Sequence, residues 1–364
     1  MNFKETISTM IAYQSIQEKI KWVWERNIYH SNLYTSAAEY IRRSKYLAEF
    51  ISAICAFKCM DGRVHIPVIT KTPLGIIQPF RSLGGRFDLG WPALLGAVKD
   101  WITKNINAGR NCIMLVTYHY SKGDKKRGCA GFNYDKEAAK ASALELKQQI
   151  QRVCGVTSSN VCPVVLGIET DGDSLVFVNN DQEIDLYEYT KDIEVLTNEV
   201  KDKVKKDLRT CFHDMPEAIF HDIMPLAYGN LEHILEVRQN HQIIQIEHKE
   251  FILGVGSGFD WLHEPNNALI VGPWSPAFSN DLDKAFSIIK SNMDEKRISD
   301  DGFILLISSA WENSLDRQLG IEKINFLKKI ALGILQEKYP DLAKKVHCME
   351  GTIDASTKRL IELA

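Results

Sequence analysis

The chain has no extended basic block and no stripe in which aromatic residues alternate with Lys or Arg. With a formal net charge of −3, nothing in it points to nucleic acid as a partner. No segment approaches the run of about eighteen apolar residues that a spanning helix needs, so no membrane span is expected. The opening residues Met1-Asn2-Phe3-Lys4-Glu5-Thr6 carry an acid early and no apolar signal core, so the chain is expected to stay in a reducing compartment, the cytoplasm. Cysteine is nearly absent from the last third. Of eight cysteines, seven lie between residues 55 and 211, and the other is Cys348. In a reducing compartment they are expected as buried thiols or metal ligands rather than disulfides. Their crowding points to chemistry in the middle of the chain.

The 364 residues are 45% hydrophobic and 25% charged, an ordinary globular composition with length for two or three domains. Residues 3–25 read as an amphipathic helix, with Ile7, Met10, Ile11, Ile16, Ile20 and Val23 among its apolar positions. A second helix is expected from Ser36, where Ser36-Ala37-Ala38-Glu39 has the capping-box pattern. Trp22, Trp24, Tyr29 and Tyr34 read as packing between helices, with a partner surface as the sharper alternative. From about residue 51 strands and helices alternate. Strands are expected over 53–58, 75–80, 112–118 and 163–169, with helices over 93–106 and 135–153. Asp171-Gly172-Asp173 signals a hairpin into 174–178. Residues 190–211 read as a charged helix whose run Lys201–Asp207 is a solvated face, and 214–240 as helices or loops. The alternation predicts an α/β fold with a largely parallel sheet, in which ligands sit at strand ends.

The last third repeats the middle third. Phe251–Val255 echoes the strand before Cys59. Residues 268–273 and helix 281–293 echo strand 75–80 and helix 93–106. Ile304–Ser309 echoes Ile113–Tyr118, which sets Ala310 opposite His119, and helix 321–338 echoes helix 135–153. Residues 251–262 contain neither Cys nor Arg. The expected division is a helical segment over 1–50, a metal-binding catalytic domain over 51–225 and a degenerate second copy over 226–364.

Chemistry concentrates in Cys59-Met60-Asp61-Gly62-Arg63. If that stretch is extended, residues 59, 61 and 63 project from one face. A thiolate, a carboxylate and a guanidinium on one face suit a metal site with its own hydrogen-bond acceptor and a clamp for that acceptor. His119, at a strand end, and Cys129, in Arg127-Gly128-Cys129-Ala130-Gly131, supply two more donors. Two thiolates and one imidazole leave a fourth tetrahedral position open, as in catalytic zinc sites. Taken singly, each has a plainer reading: a buried thiol for either cysteine, a hydrogen-bonded structural histidine for His119. The same holds for Cys154 and Cys162. Gly254-x-Gly256-x-Gly258 has the look of a phosphate loop but no helix start after it.

Cys59-x-Asp61-x-Arg63 resembles the zinc ligand and Asp–Arg pair of the β-class carbonic anhydrases, and Arg81-Ser82-Leu83-Gly84-Gly85 is similar to their Arg-Asn-Ala-Gly segment. Those enzymes take their other ligands from His-x-x-Cys, whereas His119 and Cys129 are ten apart. That spacing is similar to a divergent branch, the carboxysome shell carbonic anhydrases. Tyr118-His119-Tyr120-Ser121, Gly128-Cys129-Ala130, Asp135–Ala139, Leu166–Asp171 and Phe251–Phe259 also resemble that branch.

The resemblance implies a β-carbonic-anhydrase-like sheet with flanking helices, duplicated in the chain behind a helical N-terminal segment. It implies Zn²⁺ on Cys59, His119 and Cys129, and reversible hydration of carbon dioxide to bicarbonate by zinc-bound hydroxide. Asp61 would orient that hydroxide and Arg63 would hold Asp61. Gln78 could donate to substrate, and the proton shuttle stays open among His65, His213 and His221. The fused second copy would stand in for a partner subunit, and chains may pair further as homodimers. No long basic arm for docking the carbon-fixing enzyme is evident, so the cytoplasm is expected, with the carboxysome as alternative. Rival expectations are hydrolysis of carbonyl sulfide or carbon disulfide on the same scaffold, and a bicarbonate sensor or scaffold that is not an enzyme.

Overall fold

A computed structural model describes residues 11–154, 160–239, 248–262 and 267–363. The chain divides into two compact units, one holding residues 1–40, 60–63 and 246–364 and the other 41–59 and 64–245. Two helices come first, α1 (Ile16–Thr35) and α2 (Ala37–Glu49). Ile7 and Met10 of the expected first helix lie outside the described residues. Within the described part of that expected helix, residues 12–15 are not helical, and α1 begins after Ser15, which forms a capping box. Its hydroxyl accepts the Glu18 N–H at 3.4 Å, and its own N–H donates to the Glu18 carboxylate at 3.0 Å. At α2 the expected signal operates, with Glu39 N–H donating to Ser36 Oγ at 3.3 Å.

The unit holding residues 64–245 is built on a six-stranded sheet, β1 (Ala53–Cys59), β2 (Ile77–Ser82), β3 (Cys112–Tyr120), β4 (Val161–Glu169), β5 (Ser174–Asn179) and β6 (Gln182–Asp185), in the order β2-β1-β3-β4-β5-β6. The first four strands are parallel and the last two antiparallel. Every residue of β1 and of β3 is buried. That is why both read as largely apolar runs with no alternation: a parallel strand covered on both faces has no polar side to show. The helices are α3 (Ile66–Ile69), α4 (Pro92–Asn107), α5 (Lys136–Cys154), α6 (Asn198–Cys211) and α7 (Glu217–Gln239). Ile54, Ile113, Leu115, Leu166 and Phe177 of the sheet share one core with Leu208 of α6 and Ile219, Phe220 and Ile223 of α7. Each such side chain stabilises by roughly 1.5–3 kcal/mol when fully buried.

The charged helix expected over 190–211 begins only at Asn198, where Thr197 caps it. α7 approaches α3 so closely that a Cβ on Gly229 would lie 1.9 Å from the Thr70 carbonyl oxygen. Buried Asn230, its neighbour, donates to the carbonyls of Ile69 and Asp173 and accepts the Leu175 N–H. One helix residue thus fixes the turn between β4 and β5.

The other unit has a five-stranded sheet, β7 (Ile252–Gly256), β8 (Ala268–Val271), β9 (Phe303–Trp311), β10 (Val346–Asp354) and β11 (Leu360–Glu362), with α8 (Phe278–Asp294), α9 (Ser314–Lys338) and α10 (Pro340–Ala343). Its order, β8-β7-β9-β10-β11, and its strand directions repeat those of β2-β1-β3-β4-β5. The fold class is therefore the expected one, a mixed α/β architecture with two parallel-rich sheets, duplicated within the chain. α1 is stitched to this second sheet. Buried Lys19 donates to Ser299 Oγ at 2.6 Å, and Asn27 bonds the carbonyl of Lys358 and the N–H of Leu360. Among the described residues, no helix is long and apolar enough to cross a membrane.

Candidate metal centre

β1 and β3 are parallel neighbours, with Phe57 opposite Val116, so their C-terminal ends emerge side by side. Cys59 ends one and His119 is the penultimate residue of the other. The chain then loops through 121–128 and returns with Cys129. The donor atoms of Cys59, His119 and Cys129 lie within 4.8 Å of one another and all three residues are buried. No other cluster of this kind occurs among the described residues. Cys154 and Cys162, half-buried and unpaired with each other, do not form one.

These side chains are poorly satisfied by protein alone. Both ring nitrogens of His119 are buried with no partner beyond the neighbouring Cys59 thiol, an uncommon condition for buried polar atoms. The Cys129 thiol beside it, with burial, pushes the Cys59 thiol well above its usual range, against the pull of His119. A soft divalent cation answers both conditions, because it takes the imidazole lone pair and draws the thiols to thiolates. Two sulfurs and a nitrogen suit zinc with a position left for solvent.

Glycines make room for the cluster. Gly85, at φ +68°, lies where a Cβ would come within 3.2 Å of the Thr117 carbonyl and 3.4 Å of the Cys59 nitrogen. A Cβ on Gly131 would sit 2.6 Å from the Cα of Gly84. Arg86 donates to the Gly131 carbonyl and stacks 4.4 Å over the Phe132 ring. The segment after β2 and the segment after Cys129 are thereby locked together.

Asp61 and Arg63 do not follow the expected strand. β1 stops at Cys59, and residues 61–63 form a turn. The pair is made by that turn rather than by pleat alternation. Asp61 Oδ1 accepts the backbone N–H of Arg63 at 2.9 Å, and the guanidinium donates through Nε at 3.0 and 3.1 Å and through Nη2 at 2.6 Å. Both side chains are largely buried, Asp61 12% and Arg63 3% exposed. The fork holds both carboxylate oxygens, a charge-assisted bidentate pair. The turn belongs to the unit of the second sheet: Asp61 bridges Leu269, and Ile270 N–H donates to the Met60 carbonyl.

That same unit contains a histidine that sequence reasoning passed over. His248 Nδ1 lies 2.9 Å from Glu250 Oε1, and buried Glu250 is fixed by the Asn292 amide at 3.0 Å. The hydrogen bond to Glu250 raises the His248 pKa against burial; Asp61 also raises it and Arg63 lowers it. Its H-x-E spacing was its only sequence signal. The histidines singled out as shuttles sit elsewhere. His65 is at the N-cap position of α3 and not on a continuing strand. His213 is exposed in a turn. His221 pairs with Asp222 at 3.0 Å, whose carboxylate also receives the Ser52 N–H. Gln78 is exposed on β2, whereas Arg81 is buried. In the Gly254–Gly258 segment, a Cβ on Gly256 would fall 2.0 Å from the Ser308 carbonyl oxygen. Close strand packing explains that glycine without a phosphate.

A family model described as the carboxysome shell carbonic anhydrase catalytic domain matches residues 57–248, just over half of the chain. Among curated proteins none matches significantly.

Proposed function

The chain belongs to the carboxysome shell carbonic anhydrase family, and from that premise we propose that it catalyses reversible hydration of carbon dioxide to bicarbonate. The observation that carries the reading is the convergence of Cys59, His119 and Cys129 donors within 4.8 Å. Those three residues would hold zinc, which when bound supplies Lewis acidity that brings the ionisation of water down toward pH ~7.

The remaining roles fall to side chains. Asp61, two residues along from Cys59, accepts a hydrogen bond from the attacking oxygen and turns its lone pair toward carbon dioxide. Arg63 saturates the edge of Asp61 that it faces, keeps it ionised and restrains it from becoming a ligand itself. Carbon dioxide carries no charge to clamp, so orientation of the nucleophile is the main task left to the protein. The division into an N-terminal helical segment, a zinc domain and a ligand-free second copy belongs to the same proposal. So do homodimer formation and a cytoplasmic setting, with the carboxysome as alternative.

Stopped-flow hydration of carbon dioxide by the zinc-loaded full chain tests the reading. Hydration well above the buffer rate is expected. The buffer rate alone, with zinc bound, would overturn it in favour of a bicarbonate-sensing role.

A further inference from the structure

We propose that Glu169 and Asp171, the two carboxylates at the end of β4, are positioning residues that hold Cys129 in register with Cys59 and His119. The proposal rests on reading that cluster as a zinc site. A His-x-x-Cys ligand pair is kept in register by its own short backbone. Here residues 121–128 intervene, and a loop of that length does not return its end to one place unless something outside it fixes it.

The fixing groups come from the β4–β5 turn. Asp171 reaches both ends of the loop. At the start its carboxylate accepts the Ser121 hydroxyl at 2.7 Å and the Gly123 N–H at 2.8 Å, and at the end it lies 3.4 Å from the guanidinium of Arg127, two residues before Cys129. Glu169, buried, accepts the Lys122 N–H at 3.1 Å. It also accepts the N–H groups of Asp171 and Gly172 at 3.0 and 2.9 Å, which shapes the turn that presents Asp171. Thr170 N–H closes the junction on the Tyr120 carbonyl at 2.9 Å. Inside the loop, Asp124 N–H bonds Ser121 Oγ and Arg127 N–H bonds the Asp124 carbonyl. The loop is thus one hydrogen-bonded body with Asp171 across its base. Outer groups that orient a metal ligand commonly govern how tightly the metal is held.

The test uses the full chain carrying Asp171→Ala, with Arg127→Gln and Ser121→Ala as variants that each remove one loop-side contact. Zinc release to a chromogenic chelator and the sulfur-to-cobalt charge-transfer absorption of the Co²⁺-loaded protein are measured, with Cys129→Ser as the one-thiolate reference. Asp171→Ala is expected to release zinc about 10–100-fold faster and to shift the cobalt band toward the Cys129→Ser spectrum, with smaller changes in the other two. A general loss of stability would lower the thermal midpoint without altering the band of the folded protein. Wild-type release and a wild-type band in folded Asp171→Ala would overturn the proposal. If that variant does not fold, Arg127→Gln decides by the same two readouts. A wild-type chain that takes up neither metal sinks the zinc reading and the clamp with it, whereas metal held equally by wild type and variants sinks the clamp alone.

Discussion

At the end of β1 the chain places Cys59, and at the matching end of β7 it places Ser257. The equivalence follows from register: Ile54 faces Ile113 across β1 and β3, and Ile252 faces Ile304 across β7 and β9. The same count sets Ala310 where β3 has His119. In the second sheet the two positions bond to each other, Ala310 N–H donating to Ser257 Oγ at 3.1 Å. The third ligand has no counterpart. β3 is separated from α5 by residues 121–135, which carry Cys129, whereas only Glu312 and Asn313 separate β9 from α9. One strand order therefore serves with and without the donor cluster. The apolar strands specify the fold, and a few residues beyond the strand ends carry the candidate chemistry.

The comparison breaks most easily at the ligands. Cys59→Ala is expected to abolish zinc stoichiometry in elemental analysis, while Ser257→Ala leaves it unchanged; zinc retained in the first or lost in the second would remove the distinction between the sheets. Asp61→Asn is expected to keep zinc and lower carbon dioxide turnover by about 10²–10⁴-fold, with unaltered turnover refuting the orienting role. In the cores the two sheets should behave alike. Leu115→Ala in β3 and its match Leu306→Ala in β9, both fully buried, should each cost about 2–5 kcal/mol in denaturant unfolding, and a large asymmetry would show that the copies are not equivalent as cores.

The smallest effect is expected at His248. Its pKa is raised in the fold by Glu250. Its stabilising contribution is therefore fully present below the unfolded value of about 6.5 and is lost as pH rises through the raised one. His248→Gln should flatten that part of the stability–pH profile. A stability–pH profile unchanged by the substitution would refute that contribution.

The strands were legible because parallel strands buried on both faces leave continuous apolar runs, and β1, β3, β4, β7 and β9 all fell where such runs lie. α6 was misjudged at its start because Thr197, the residue that caps it, sits inside a segment whose polarity pattern alone reads as helix, and for the same reason the break at 12–15 before the Ser15 cap of α1 was missed. The residue types of the metal cluster were visible from their places near strand ends. Asp61 and Arg63 were visible as a pair, but their geometry was misread. The pair depends on an Asx-type bond from Arg63 N–H to Asp61, a local competitor to strand continuation that leaves no periodic trace. The loop contacts of Glu169 and Asp171 left no trace in the sequence because their partners lie far along the chain, and His248 was passed over because it and Glu250 have ordinary basic and acidic identities.

Sequence by itself determined the two α/β sheets, the repetition between them and which side chains could bind a soft cation, since hydrophobic period and donor chemistry are local properties of the chain. Only the tertiary structure decided that three donors 10 to 70 residues apart share a space of 4.8 Å, that Asp61 is held by a turn, and that Glu169 and Asp171, at the β4–β5 turn, bond to the loop before Cys129. Those outcomes depend on strand register and on loop closure, which the backbone sets through long-range contacts that no single stretch of sequence contains.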